Sequence, residues 1–119
     1  MTEEIKEIQE NWDNLTRFLK QNLGKKPADL KGVLFLIGVQ ELGKGNLHFS
    51  KEEKQDLIHI AVCKVLSYDG YYELDGHDQD GWPHWKLVRQ LPAFDLFSQE
   101  NLLKHYVIQY FRNEIGLHI

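Results

Sequence analysis

One cysteine, one methionine and three prolines are all that the 119-residue chain contains of those types, and its longest apolar run, VLFLIGV at 33–39, covers seven residues. Each scarcity excludes something. A lone Cys63 rules out a disulfide within the chain and fits a reducing compartment. It lies in an apolar stretch with no activating base beside it in sequence, so a small buried thiol is expected rather than a nucleophile. A seven-residue apolar run is far short of the ~20 residues that cross a bilayer. Positive charge is also in the minority, 14 basic against 18 acidic residues for a formal charge of −4, and such a field repels phosphate backbones and anionic lipid. Neither nucleic acid nor membrane is therefore an expected partner. The N-terminal MTEEIKEIQE is acidic and has no apolar core of a signal peptide, so the expected location is the cytoplasm. No G-x-S-x-G, H-E-x-x-H, Walker or dinucleotide fingerprint occurs, and no cofactor is expected. Repeats and low-complexity tracts are missing too.

What is present suits one globular domain spanning residues 1–119: 42% hydrophobic, 12% aromatic and 27% charged residues. Periodicity predicts a mainly α fold, a compact bundle of about four helices with one β-hairpin, about residues 71–88, packed on it. Ile5, Ile8, Trp12, Leu15, Leu19 and Leu23 recur at spacings of three and four, with Gly24 placed to end that helix and Pro27 following. Asp29 opens a second helix, apolar almost all round, that stops at the Gly43-Lys44-Gly45 turn. Because GKG follows a helix instead of preceding one, it aims no helix N-terminal amides at a phosphate. Ser50-Lys-Glu-Glu53 is a capping box that starts a third helix, ending before Asp69-Gly70. Ser98 is the expected cap of a last helix with Leu102, Leu103, Tyr106, Val107, Tyr110, Phe111 and Ile115 on its apolar face and Gly116 at its end. Leu91, Phe94 and Phe97 are expected to plug the core ahead of it.

The unusual stretch is DGHDQDGWPHW, residues 75–85. An EF-hand reading puts Gly76 at position one and Leu87 at position twelve, where carboxylates are required, and fails. A hairpin accounts for more: Asp78 opening a type I turn, Gln79 and Asp80 in its centre, and Gly81 in the left-handed bulge position. That register pairs His77 with Trp82, Asp75 with His84, Leu74 with Trp85, Glu73 with Lys86 and Tyr72 with Leu87. It predicts one face of Tyr72, Leu74, Trp85 and Leu87 packed on the helices, and a polar face of Glu73, Asp75, His77, Trp82, His84 and Lys86. Pro83 is compatible with a two-stranded ribbon whose edges are free.

An indole turned outward beside two histidines is required by neither turn nor core. Tyr71, Asp75, His77, Trp82 and His84 are therefore the candidate contact patch of a non-enzymatic protein-binding or regulatory module, with a protein partner or self-association implied. The alternative is a metal-binding or acid–base enzyme using Asp75, His77 and His84, which the same register places together. Asp56 and His59 have the spacing of a helical di-iron half-motif, but no second copy exists.

DGWPHW, with the preceding LSYDGYYEL and the later ENLLKHYVIQYF, resembles a family of small uncharacterised bacterial proteins, over most of the chain from about residue 33 onward. The resemblance implies no catalytic residue, ligand or partner.

Overall fold

The computed structural model describes residues 3–23, 29–44, 48–92 and 95–119, the side chains of Leu23, Leu96 and Phe97 excepted. In chain order the elements are α1 (Glu3–Leu23), α2 (Leu30–Leu42), α3 (Lys51–Leu66), a 3-10 turn (Ser67–Asp69), β1 (Tyr72–His77), β2 (Pro83–Leu87) and α4 (Leu96–Asn113). The fold is mainly helical, with four helices and one two-stranded antiparallel hairpin among the described residues, as the periodicity predicts. None of those helices is long and apolar enough to cross a membrane. The chain gathers into two units, one of residues 1–30 with 93–119 and one of residues 31–92.

The first unit carries α1 and α4. The α1 stripe delivers Trp12, Leu15 and Leu19 to buried positions, and the α4 face delivers Tyr106, Val107, Ile108, Tyr110 and Phe111. The Lys104 ammonium lies 5.3 Å from the centre of the Trp12 ring, a cation–π contact between the two helices. Asp95, not Ser98, caps α4: its carboxylate accepts from the Ser98 N–H at 2.8 Å. An aspartate three residues upstream satisfies the same orphan amides and adds a negative charge at the positive end of the helix. Ile115 falls beyond the last turn and is 46% exposed, so it is not part of the apolar face. Leu91 is exposed as well, so it plugs nothing; Phe94, the Phe97 side chain, Gly24 and Pro27 lie outside the described residues.

The second unit carries α2, α3 and the hairpin. Val33, Leu34, Ile37, Gly38 and Leu42 of α2 are buried, and Phe35, Leu36 and Val39 half-buried, as expected of a helix apolar almost all round. Gly38 is where α2 meets α3 most closely: a Cβ there would stand 2.2 Å from the Leu57 carbonyl oxygen. Helix α2 stops at Gly43, whose N–H still reaches the Val39 carbonyl; Gly45 is outside the described residues. The expected capping box starts α3, with Ser50 Oγ accepting from Glu53 N–H at 3.1 Å and Glu53 Oε1 accepting from Ser50 N–H at 2.8 Å.

The hairpin turn forms as its residues require. Gly81 N–H donates to the Asp78 carbonyl at φ 83°, and Asp78 N–H donates to the Trp82 carbonyl. Three pairs match the expected register, Tyr72 with Leu87, Glu73 with Lys86 and Leu74 with Trp85. The other two do not form as expected: His77 pairs with Pro83 rather than Trp82, and His84 faces the two residues Asp75 and Gly76 instead of making a regular pair with Asp75. The cause is a bulge between Leu74 and His77, with Gly76 at φ 103°, a conformation that a side chain would strain. One extra residue in β1 shifts everything nearer the turn by one step.

Candidate functional site

The hairpin side chains are not covered as alternation predicts, although the pairs of Leu74 and Leu87 keep the expected register. Tyr72 and Trp85 are half-buried and Pro83 is buried, whereas Leu74 and Leu87, expected to be covered, are 49% and 52% exposed. Trp82 precedes β2, so strand alternation does not decide its side. Its indole packs edge-on against Phe49 at 6.4 Å, and Phe49 in turn against Phe35 at 6.2 Å, above the buried Leu42, Leu57 and Ile60. Tyr71 is buried too, at 6% exposure. Its carbonyl accepts from Val88 N–H at 2.9 Å, its N–H donates to Leu66, and the Arg89 guanidinium covers its ring at 4.6 Å. Of the expected contact patch, Tyr71 and Trp82 are thus interior or half-interior, and only Asp75, His77 and His84 are exposed.

His84 turns to Asp78 instead of Asp75, with Nε2 and Oδ2 3.0 Å apart. The other Asp78 oxygen accepts from the N–H groups of Asp80, at 2.9 Å, and Trp82, at 3.0 Å. The hydrogen bond from His84 comes first among the causes that hold the Asp78 carboxyl below its ordinary value, followed by the Trp82 amide. Asp78 is therefore the tie that closes the turn and anchors His84. Asp75, His77 and His84 do not form a metal site; among the described residues no three His, Cys, Asp or Glu side chains converge to hold an ion.

A cleft of about 490 Å³ opens in this second unit. Glu53, Asp56, His59 and Ile60 of α3 line one wall, spaced three and four apart on one helix face. Asp78, Asp80, Trp82, Pro83, His84 and Trp85 line the other. The capping box holds Glu53 in place, and the turn holds Asp78 and His84. The Asp56 and Asp80 carboxylates have no partner among the described residues. The Lys44 ammonium donates to the Asp80 carbonyl at the edge of this turn. The Trp85 indole N–H is buried and has no acceptor among the described residues. An orphaned buried donor costs about 1–3 kcal/mol. Sequence reasoning missed the α3 wall, although Asp56 and His59 stood out at helical spacing; what it could not supply was the packing of α3 on the hairpin.

Behind this wall His59 Nε2 lies 3.5 Å from Cys63 Sγ, one helical turn away. A base is therefore near the thiol after all. Burial nevertheless pushes the Cys63 pKa up to about 11, against the lowering effect of a hydrogen bond with Tyr72, so the group stays a thiol at neutral pH. The Tyr72 phenol is raised in turn, by burial first and by Cys63 second.

The groove between α1 and α4 in the other unit is larger, about 630 Å³, and has the apolar Ile5, Ile8, Leu102 and Ile108 in its lining. Its ionisable residues are Glu4, Glu7, His105 and Arg112, and its lining has no tryptophan, tyrosine or phenylalanine. The chain matches no protein-family model, no curated protein and no solved structure.

Proposed function

We propose that the protein is a non-catalytic, cytoplasmic protein-binding module and that the cleft between α3 and the hairpin is its contact surface. The observation that carries the reading is the composition of that cleft: convergent polar side chains held by a capping box and a turn, around the half-buried indoles of Trp82 and Trp85. Recognition sites have this build, an apolar and aromatic base with a few fixed polar groups around it. The single buried thiol fits a reducing cytoplasm.

The test is a titration of ¹⁵N-labelled protein with blocked tripeptides whose central residue is lysine, glutamate, leucine or phenylalanine. Shift changes gathered on residues 53–60 and 78–85 support the reading. Changes confined to other parts of the chain, or none with any peptide at millimolar concentration, overturn it.

The His84–Asp78 contact favours a second reading, general acid–base chemistry, since a carboxylate orients an imidazole for proton transfer. That reading requires chemical turnover of a bound ester or amide that disappears in His84→Ala; turnover that survives the substitution contradicts it.

A further inference from the structure

We infer that the groove between α1 and α4 is a self-association surface, its occupant the same two helices of a second copy of this chain, related by a two-fold axis that runs along the groove. The cleft of the second unit takes no part in it. The apolar part of the groove lining is incompletely covered: Ile5, Ile8 and Leu102 are half-buried, and Ile108 is buried. Lining positions recur at alternating spacings of four and three on both helices, through Glu4, Ile8 and Asn11 of α1 and through Asn101, His105, Ile108 and Arg112 of α4. Such a seam is what helices use to pack side by side in a four-helix bundle, and two helices alone leave one side of it open.

Charge selects the occupant. The α1 wall holds two carboxylates, Glu4 and Glu7, and no basic residue, whereas the α4 wall holds His105 and Arg112 and no acidic residue. The Arg112 guanidinium donates to the Ile119 carbonyl through Nε and Nη2, which fixes the side chain and leaves Nη1 for a further acceptor. A two-fold axis along the groove exchanges the walls, laying the acidic wall of each copy on the basic wall of the other, and every such contact occurs twice. The surface is thus complementary to itself. A helix pair of uniform charge would leave one wall facing its own sign. Asn11 and Asn101 add amides that both donate and accept, and polar seam positions of this kind specify partner and register more than they stabilise.

Sedimentation equilibrium at micromolar to millimolar concentration tests the inference with the parent chain and two variants. Glu4→Lys with Glu7→Lys makes both walls basic, and His105→Glu with Arg112→Glu makes both acidic. The parent is expected to form a dimer that weakens with added salt. Each double variant alone should raise the dimer Kd at least about tenfold, because like charges then face each other. An equimolar mixture of the two should recover the dimer. A measurement without substitutions accompanies these: isotope-filtered nuclear Overhauser contacts in a mixed-label parent dimer should join residues 4–11 of one copy to residues 101–112 of the other. A parent chain that stays monomeric at millimolar concentration leaves the groove to a different protein and overturns the inference. So does a dimer that neither double variant weakens, or one whose contacts between copies lie outside these two helices.

Discussion

Replacing Gly38 by alanine sets two physical effects against each other. Alanine is the better helix former by about 1 kcal/mol, so on propensity alone the change inside α2 should stabilise the protein. Packing says otherwise. The new Cβ would stand 2.2 Å from the Leu57 carbonyl oxygen, 2.7 Å from its carbon and 2.9 Å from the Leu57 Cβ, where ordinary contact begins at 3.4 Å. The closest of these contacts must lengthen by 3.4 − 2.2 = 1.2 Å, and two of the three obstructing atoms are backbone, so no rotamer change relieves them. Forcing extra volume into a packed core costs typically about 1–3 kcal/mol, with the upper end expected where backbone must move. Subtracting the propensity gain leaves a net loss of about 1–2 kcal/mol. For a domain of this size that corresponds to a fall in Tm of roughly 4–12 °C, measurable by thermal and urea unfolding followed by circular dichroism. Leu57 lies between Glu53 and Ile60 on α3, so the displacement should also shift amide resonances along the helix wall of the cleft. An unchanged or raised Tm would show that α2 and α3 are not in backbone contact at Gly38 and would refute the packing.

Further predictions follow from the hairpin and the thiol. Trp82→Ala and Trp85→Ala should each cost about 2 kcal/mol or more in urea unfolding, because both indoles are half-buried; a silent Trp82→Ala would put that ring back in solvent. Trp85→Phe, which keeps an aromatic face and removes the unpaired donor, should be neutral or mildly stabilising in the same assay, and a loss as large as that of Trp85→Ala would mean the N–H has a partner. The Asp78 carboxyl is depressed in the fold, so its stabilising effect is complete above its ordinary value of 3.8 and disappears as the pH falls through the lower folded value. Hairpin amide exchange in Asp78→Asn should therefore lose the acid dependence seen in the parent; identical profiles would remove the His84–Asp78 tie. Cys63, with its pKa near 11 and no exposed surface, should resist an aromatic disulfide reagent at pH 8 until the chain unfolds, and rapid labelling of native protein would contradict its burial.

The parts legible in the sequence are those governed by neighbouring residues. Apolar spacing locates α1, the Ser50–Glu53 pair announces α3, and Asp78 with Gly81 specifies the turn, because each signal acts within one turn of chain. The half of the register nearest the helices follows from alternation and was readable. The half nearest the turn does not, because strict alternation passes over Gly76, whereas an isolated glycine in a strand is a bulge signal. That single residue replaces the regular Asp75–His84 pair by a bulge, and the His84 ring contacts Asp78. Alternation does not extend to Trp82, one residue outside β2, where packing against Phe49 sets the side of the ring. The Asp95 cap was hidden by a plausible serine three residues on. Proximity of Asp56 and His59 to Asp80 and His84 depends on packing between segments some twenty residues apart, which no local pattern encodes.

The Gly76 bulge sets the turn end of the hairpin, where Trp82 faces Phe49 and the cleft forms against α3. Nuclear Overhauser contacts in the labelled protein test it most directly. The structure requires Trp82 ring protons to see the Phe49 ring and His77 to face Pro83. A spectrum in which Trp82 shows no contact with Phe49 and His77 faces Trp82 would contradict the account.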